Sequence, residues 1–158
     1  LGRVRDNNFA NFLKEVSISL IKNEIPLKIN LVGDIQSKHQ KLLNSKNLIC
    51  LGPIREPEDI IKIAKECSVG FHPSNTGLSA NSYQMLGLVP VFHSSFYDHG
   101  PEPLDCYKDV KCFTFTKNNV DEAVESINNA YLYYKKNRIY FKKVFNKKYA
   151  DELIQNLP

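Results

Sequence analysis

Residues 68–92 constrain the fold more than any other stretch. Ser68-Val69-Gly70-Phe71-His72 is a short, largely apolar run closed by Pro73, the pattern of a buried strand that ends at a loop. Ser74, Asn75, Thr76 and Gly77 form a turn cluster, and Ser79 or Asn81 can cap a helix running to about Gly87. Leu88 to Phe92 is again apolar and β-branched, so the unit closes as strand, loop, helix, strand. A unit of this kind aims a helix N-terminus into a crevice beside a strand end. Free N–H groups and the positive end of the dipole suit a phosphate there.

The flanking sequence repeats the alternation. Leu1 to Val4 reads as the end of a strand, and Asp6 or Asn7 can cap the helix after it, whose face is Phe9, Phe12, Leu13, Val16 and Leu20. Pro26 stops that helix. Leu27 to Gly33 reads as a strand, 36–45 as a short helix, and Asn47 to Leu51 as a strand stopped by Gly52-Pro53. Pro57 suits a first helical turn, with Glu58 and Asp59 at its positive end and Ile60, Ile61, Ile63 and Ala64 on its buried side. Val110 to Phe115 reads as a strand, and two helices follow, over about 119–136 and 138–156. Strands alternating with helices predict an α/β fold: a Rossmann-like, doubly wound, mostly parallel sheet with helices on both faces.

At 158 residues the chain has the length of one domain with a sizeable core. No apolar run approaches the ~20 residues of a membrane span, and no signal peptide is visible at Leu1. A start at Leu1-Gly2 without Met is expected of a fragment or a trimmed chain. The net charge of +4 is too mild to mark a nucleic-acid binder. Cys50, Cys67, Cys106 and Cys112 form no Cys-x-x-Cys pair, and Cys50, in an apolar strand, is expected to be buried. Neither a disulfide framework nor a zinc site is expected, and a reducing, cytoplasmic compartment fits best.

Parallel sheets place ligands at the carboxyl ends of their strands. The polar candidates fall there: Arg3 and Arg5 after the first strand, Asp34 after the second, Pro53 to Arg55 after the third, Asn75 to Ser79 after the fourth, and Ser94 to Glu102 after the fifth. Arginine just past a strand can grip a diphosphate, and Glu102, between prolines, can meet ligand hydroxyls. His72, His93 and His99 are acid–base candidates or structural groups. No Ser or Cys pairs with His and a carboxylate at recognisable spacing, so a hydrolytic triad has no support. Nor is there a Gly-x-Gly-x-x-Gly turn for a dinucleotide, and a receiver domain would place acidic residues where Arg3 and Arg5 stand.

Six motifs in register carry a resemblance: Leu1-Gly-Arg3, Ile29-Asn-Leu-Val-Gly33, Leu51-Gly-Pro-Ile54, Pro73-Ser74, Gly87-Leu-Val-Pro-Val91 and Gly100-Pro-Glu102. Over roughly residues 1–130 the chain resembles the C-terminal, donor-binding domain of GT-B retaining glycosyltransferases related to glycogen and mannosyl transferases (group 1, family 4-like). The resemblance implies a nucleotide-sugar-binding domain over 1–136. A helical tail over 137–158 would pack on it or on an N-terminal acceptor domain outside this chain.

The donor would be a UDP- or GDP-linked sugar, and the acceptor a saccharide or a lipid-linked saccharide. The pathway class would be cell-surface polysaccharide or glycolipid synthesis, with no further cofactor and no metal. Arg3 falls where the family places a phosphate-binding arginine, beside Gly2. The lysine expected a few residues on is replaced by Asp6-Asn7-Asn8, leaving Arg5 as the substitute. The family's paired glutamates fall at Asn75, against the transferred sugar, and Tyr83, against the ribose. Ile54 and Arg55 fall at the base, and Gly77, Leu78 and Ser79 at the phosphate-facing helix start. Asn75 can hydrogen-bond a sugar hydroxyl but carries no charge, and Tyr83 can stack or donate once. Catalysis would be mostly positioning plus stabilisation of the leaving diphosphate by Arg3 and backbone N–H groups.

Two further expectations concern partners. Residues 135–148 interleave seven basic side chains, Lys135, Lys136, Arg138, Lys142, Lys143, Lys147 and Lys148, with Tyr140, Phe141 and Phe145. That is a solvated helix face or a peripheral contact with an anionic membrane. The uncharged Asn75 and Tyr83 also leave open a non-catalytic module that binds a sugar nucleotide or another protein.

Overall fold

In the computed structural model the chain is described over residues 7–36, 39, 43–77, 79–95, 99 and 111–141. The order is α1 (Asn7–Lys22), β1 (Ile29–Val32), β2 (Leu48–Gly52), α2 (Pro57–Lys65), β3 (Val69–His72), α3 (Ser79–Met85), β4 (Val89–His93), β5 (Phe113–Phe115) and α4 (Val120–Lys136). The fold is α/β, and each strand pairing is parallel. Among the described residues the strands form two sheets, β1-β2 and β3-β4-β5. The expected strand at 1–4 and the helix beyond 141 lie outside the described residues, as does half of the expected helix at 36–45. None of the described helices is long and apolar enough to cross a membrane.

Strand alternation assigns the faces. Val69 and Phe71 of β3, Val89 and Val91 of β4, and Phe113 and Phe115 of β5 join Phe12, Val16 and Leu20 of α1 and Ala123, Ile127 and Ala130 of α4 in one core. Gly70 points the other way, against Tyr83 of α3. Pro90 sits in the middle strand of three, a position that normally excludes proline. Val89 N donates to Ser68 O and Ser94 N to Phe115 O, so even-numbered amides of β4 face β5. Phe113, the first residue of β5, already pairs with Val91. The missing Pro90 donor therefore points below the start of β5 and breaks no rung.

The helix ends follow local rules. Ile25 N reaches Leu20 O and Leu88 N reaches Tyr83 O, each at a residue of left-handed backbone, Glu24 (φ 55°) and Gly87 (φ 67°). Both closures tie off carbonyls that would otherwise lack partners. At the start of α4, Asn119 Oδ1 accepts from Glu122 N, and the Glu122 carboxylate accepts from Asn119 Nδ2 and Thr116 N. The hydrogen bonds from Thr116 lower the Glu122 pKa.

Two packing expectations are corrected. Cys50 is exposed, as are Ile49 and Leu51, on a strand that among the described residues has one neighbour, β1. In the tail, Phe141 is buried against Tyr133 and Tyr134, with ring centroids 6.0 and 5.3 Å away. Phe141 therefore belongs to the core and not to a membrane-facing surface, whereas Ile139 and Tyr140 are exposed.

Candidate ligand site at the strand ends

Because β3, β4 and β5 are parallel, their carboxyl ends share one edge. The loop 73–77 leaves β3 at Pro73. His72 Nδ1 lies 2.9 Å from Ser74 O and fixes the first turn. Thr76 is buried, and its N–H donates to His99 Nδ1 at 3.1 Å, with Thr76 Oγ1 also 3.1 Å from that nitrogen. His99 Nε2 in turn donates to His93 O at 2.7 Å. These partners define the Nε2–H tautomer of His99. The His93 ring packs on it at 4.0 Å between centroids, and His93 Nδ1 accepts from Ser95 N. Two buried imidazoles and a threonine thus clamp the loop after β3 to the end of β4. His93 and His99 are structural in this arrangement. Sequence separation of 23 residues gave no local signal for it.

The structure describes several of the predicted residues, and they do not all fall at this clamp. Asn75 is exposed on the loop, and Gly77 beside it has left-handed backbone (φ 46°) with open space where a Cβ would stand. Ser79 begins α3. Ile54 and Arg55 follow the carboxyl end of β2, in the other sheet, Ile54 half-buried and Arg55 exposed. Gly2, Arg3, Arg5, Leu78 and Glu102 lie outside the described residues.

Two features of the structure bear on the expected contacts. The α3 helix was expected to offer free N–H groups to a phosphate. It has only seven residues, and its first amides are engaged: Ser79 N donates to Thr76 O and Ala80 N to Gly77 O. A two-turn helix closed by such bonds presents little dipole and few donors. Tyr83, expected at a ribose, is buried, with its ring against Gly70 and its hydroxyl donating to Phe71 O at 3.0 Å. The amphipathic ring was legible as a contact residue in the sequence, but nothing there showed that Gly70 leaves the space it fills.

Burial pushes the Tyr83 phenol well above its usual pKa of 10.0. Above that value the unfolded chain gives up the proton and the folded chain keeps it. The stability tied to Tyr83 is therefore full below pH ~10 and is lost progressively as the pH climbs toward the raised folded value. Urea midpoints at pH 9 and 11 should fall further for the natural chain than for Tyr83→Phe. Equal falls in the two would refute the buried phenol.

A cavity lies elsewhere. It holds about 790 Å3, is lined by the residues of β1 and β3, and its walls are mostly aliphatic and aromatic. It reaches Leu13 of α1 and Ile127 of α4 on one side, and Ile60 and Ile63 of α2 on the other. Among the described residues, no three His, Cys, Asp or Glu side chains gather as a metal-ligand set. No known family model matches the chain, and no curated protein matches it.

Proposed function

We propose that this chain is the donor-binding half of a GT-B glycosyltransferase, taking a nucleotide-linked sugar in the crevice at the strand ends. One observation carries the reading. The parallel strands deliver an exposed Asn75, a left-handed Gly77 and the 73–77 loop to one carboxyl edge, where α/β sheets bind ligands. The six motifs in register add the ligand class. Arg3 and Arg5 are proposed to meet the diphosphate, Asn75 a sugar hydroxyl, Ile54 and Arg55 the base, and Glu102 ligand hydroxyls. The acceptor, a saccharide or lipid-linked saccharide, would bind an N-terminal domain outside this chain.

The phosphate contact rests on loop and arginine groups, since the amides at the start of α3 are already bonded. A second reading is a non-catalytic sugar-nucleotide or interaction module. The buried Tyr83 favours it, because no carboxylate stands where the family holds the ribose.

Calorimetric titration with UDP, GDP, ADP and CMP tests both. The donor reading expects saturable binding of one diphosphate, weakened about tenfold or more in Arg3→Ala by loss of a charge-assisted hydrogen bond. Absence of binding by all four nucleotides would sink the donor reading. Nucleotide binding without sugar transfer, when the chain is joined to an acceptor domain, would select the second.

A further inference from the structure

We propose that β2 pairs edge to edge with β2 of a second copy of this chain, antiparallel and two-fold about Cys50, joining two β1-β2 sheets into one. Strand geometry alone carries this, and no ligand enters. Ile29 N donates to Asn47 O, and the parallel register then spends the backbone groups of Asn47, Ile49 and Leu51 on β1. Leu48 and Cys50 turn theirs the other way. Leu48 N is closed on Ser45 O, and the register shift at Leu31/Val32 brings Gly52 O back to Gly33 N. Among the described residues of β2, Cys50 is therefore the one whose N–H and C=O both open outward. The side chains there are open as well: Cys50 is exposed, Ile49 is 43% exposed and Leu51 39%.

These constraints fix the register. In an antiparallel pair, a hydrogen-bonded position gives its N–H and receives at its C=O across the same point, and Cys50 supplies both groups. Centring the pair there sets Cys50 opposite Cys50, and Ile49 of one copy opposite Leu51 of the other. Directly opposed side chains stand about 4.5–5.5 Å apart at Cβ, so the exposed apolar residues of the two copies cover each other. Edge strands that stay single commonly carry lysine, proline or an inward charge. The run Asn47-Leu-Ile-Cys-Leu-Gly52 has none of these, so no like charges oppose a copy. The edge is matched to itself by its own symmetry, which selects a second copy as the occupant.

The size of the contact sets its strength. One short strand, about 17 Å long by its rise per residue, buries less than the about 1,200 Å2 of a stable interface. The dimer is therefore expected to be weak, with a Kd above about 10 μM. Antiparallel pairing also sends the two carboxyl ends of β2 in opposite directions. Ile54 and Arg55, which follow that end, then stand at opposite ends of the paired strands, one set per copy.

Sedimentation velocity of the 158-residue chain under reducing conditions, from roughly 5 to 500 μM, tests this. The expected result is a monomer that passes to a dimer as concentration rises. Ile49→Lys and Leu51→Glu are each expected to raise the Kd at least about tenfold by setting a charge against an apolar partner. The double variant should regain the dimer, because position 49 of one copy faces position 51 of the other. Oxidised glutathione gives a second reading. Two Cys50 thiols at a Cα separation of about 5.5 Å should form one disulfide, releasing two molecules of glutathione. Cys50→Ser should lose that cross-link and keep the dimer in sedimentation. A monomer throughout overturns the proposal, as does a dimer that both single variants leave unchanged, a double variant that stays monomeric, or a cross-link through another cysteine. If the charged variants fail to fold, the concentration dependence and the cross-link of the natural chain decide.

Discussion

Replacing Gly70 with alanine is expected to destabilise the chain by about 3 kcal/mol or more, the upper part of the range for overpacking. A Cβ on Gly70 would stand 2.6 Å from both Cδ atoms of Tyr83 and closer still to Cγ. These are atoms at the root of a rigid ring, not the end of a flexible chain. Tyr83 is held at its far end by the bond to Phe71 O, and α3 is held by the closure at Gly87. Relief requires α3 to move off β3, which would also disturb Thr76 and the loop it anchors. At this chain length the loss corresponds to a melting point lower by roughly 6–12 °C. A double-mutant cycle isolates the cause: in a Tyr83→Ala background the alanine at 70 should cost less than half as much. Additive effects would show that the close approach of ring and strand is not the source.

The contact between Gly70 and Tyr83 also marks the limit of what the chain shows on its face. The strands were legible because β-branched and apolar runs end at Gly and Pro, and Gly33, Gly52, Gly77 and Gly87 do take left-handed or related backbone. Pro57 and the acidic pair after it start α2 as read. These are local signals. What escaped depends on distant partners. Ser17 of α1 bonds Ser45 and Asn47, and Asn47 Nδ2 donates to Leu27 O, a polar tie between α1 and the start of β2 that no periodicity announces. The clamp of Thr76, His93 and His99 is of the same kind. Cys50 is exposed although its strand is apolar, because what covers a strand's faces is set by distant parts of the chain and not by the strand's own composition. In the candidate site, the loop position was legible and the state of its amides was not. The α3 helix is two turns long, and its first donors are closed by Thr76 and Gly77, a geometry set by tertiary packing.

Phe115→Ala is expected to cost about 4 kcal/mol, within the 3–5 kcal/mol usual for truncating a buried phenylalanine. The ring is fully enclosed, stacked on Phe12 at 5.9 Å, tilted against Phe71 at 5.7 Å and edge-on to His93 at 6.4 Å. It is the point where α1, β3 and β5 meet, so no single element can collapse into the space it leaves. Domains of this size have only about 5–15 kcal/mol in total, so the variant should sit near the edge of unfolding. Phe115→Leu, which keeps most of the volume, should cost less than about 1.5 kcal/mol. The effect should reach the candidate site as well. Phe115 O accepts from Ser94 N at 2.8 Å, which fixes the end of β4, and His93 just before it holds His99 and through it Thr76. Loosening β5 is therefore expected to speed amide exchange at Thr76 beyond the change at Leu20, whose environment is the same core but not the same chain of bonds. Urea unfolding gives the first number and site-resolved exchange the second. A cost under about 1 kcal/mol for the alanine variant would mean that β5 does not close this core.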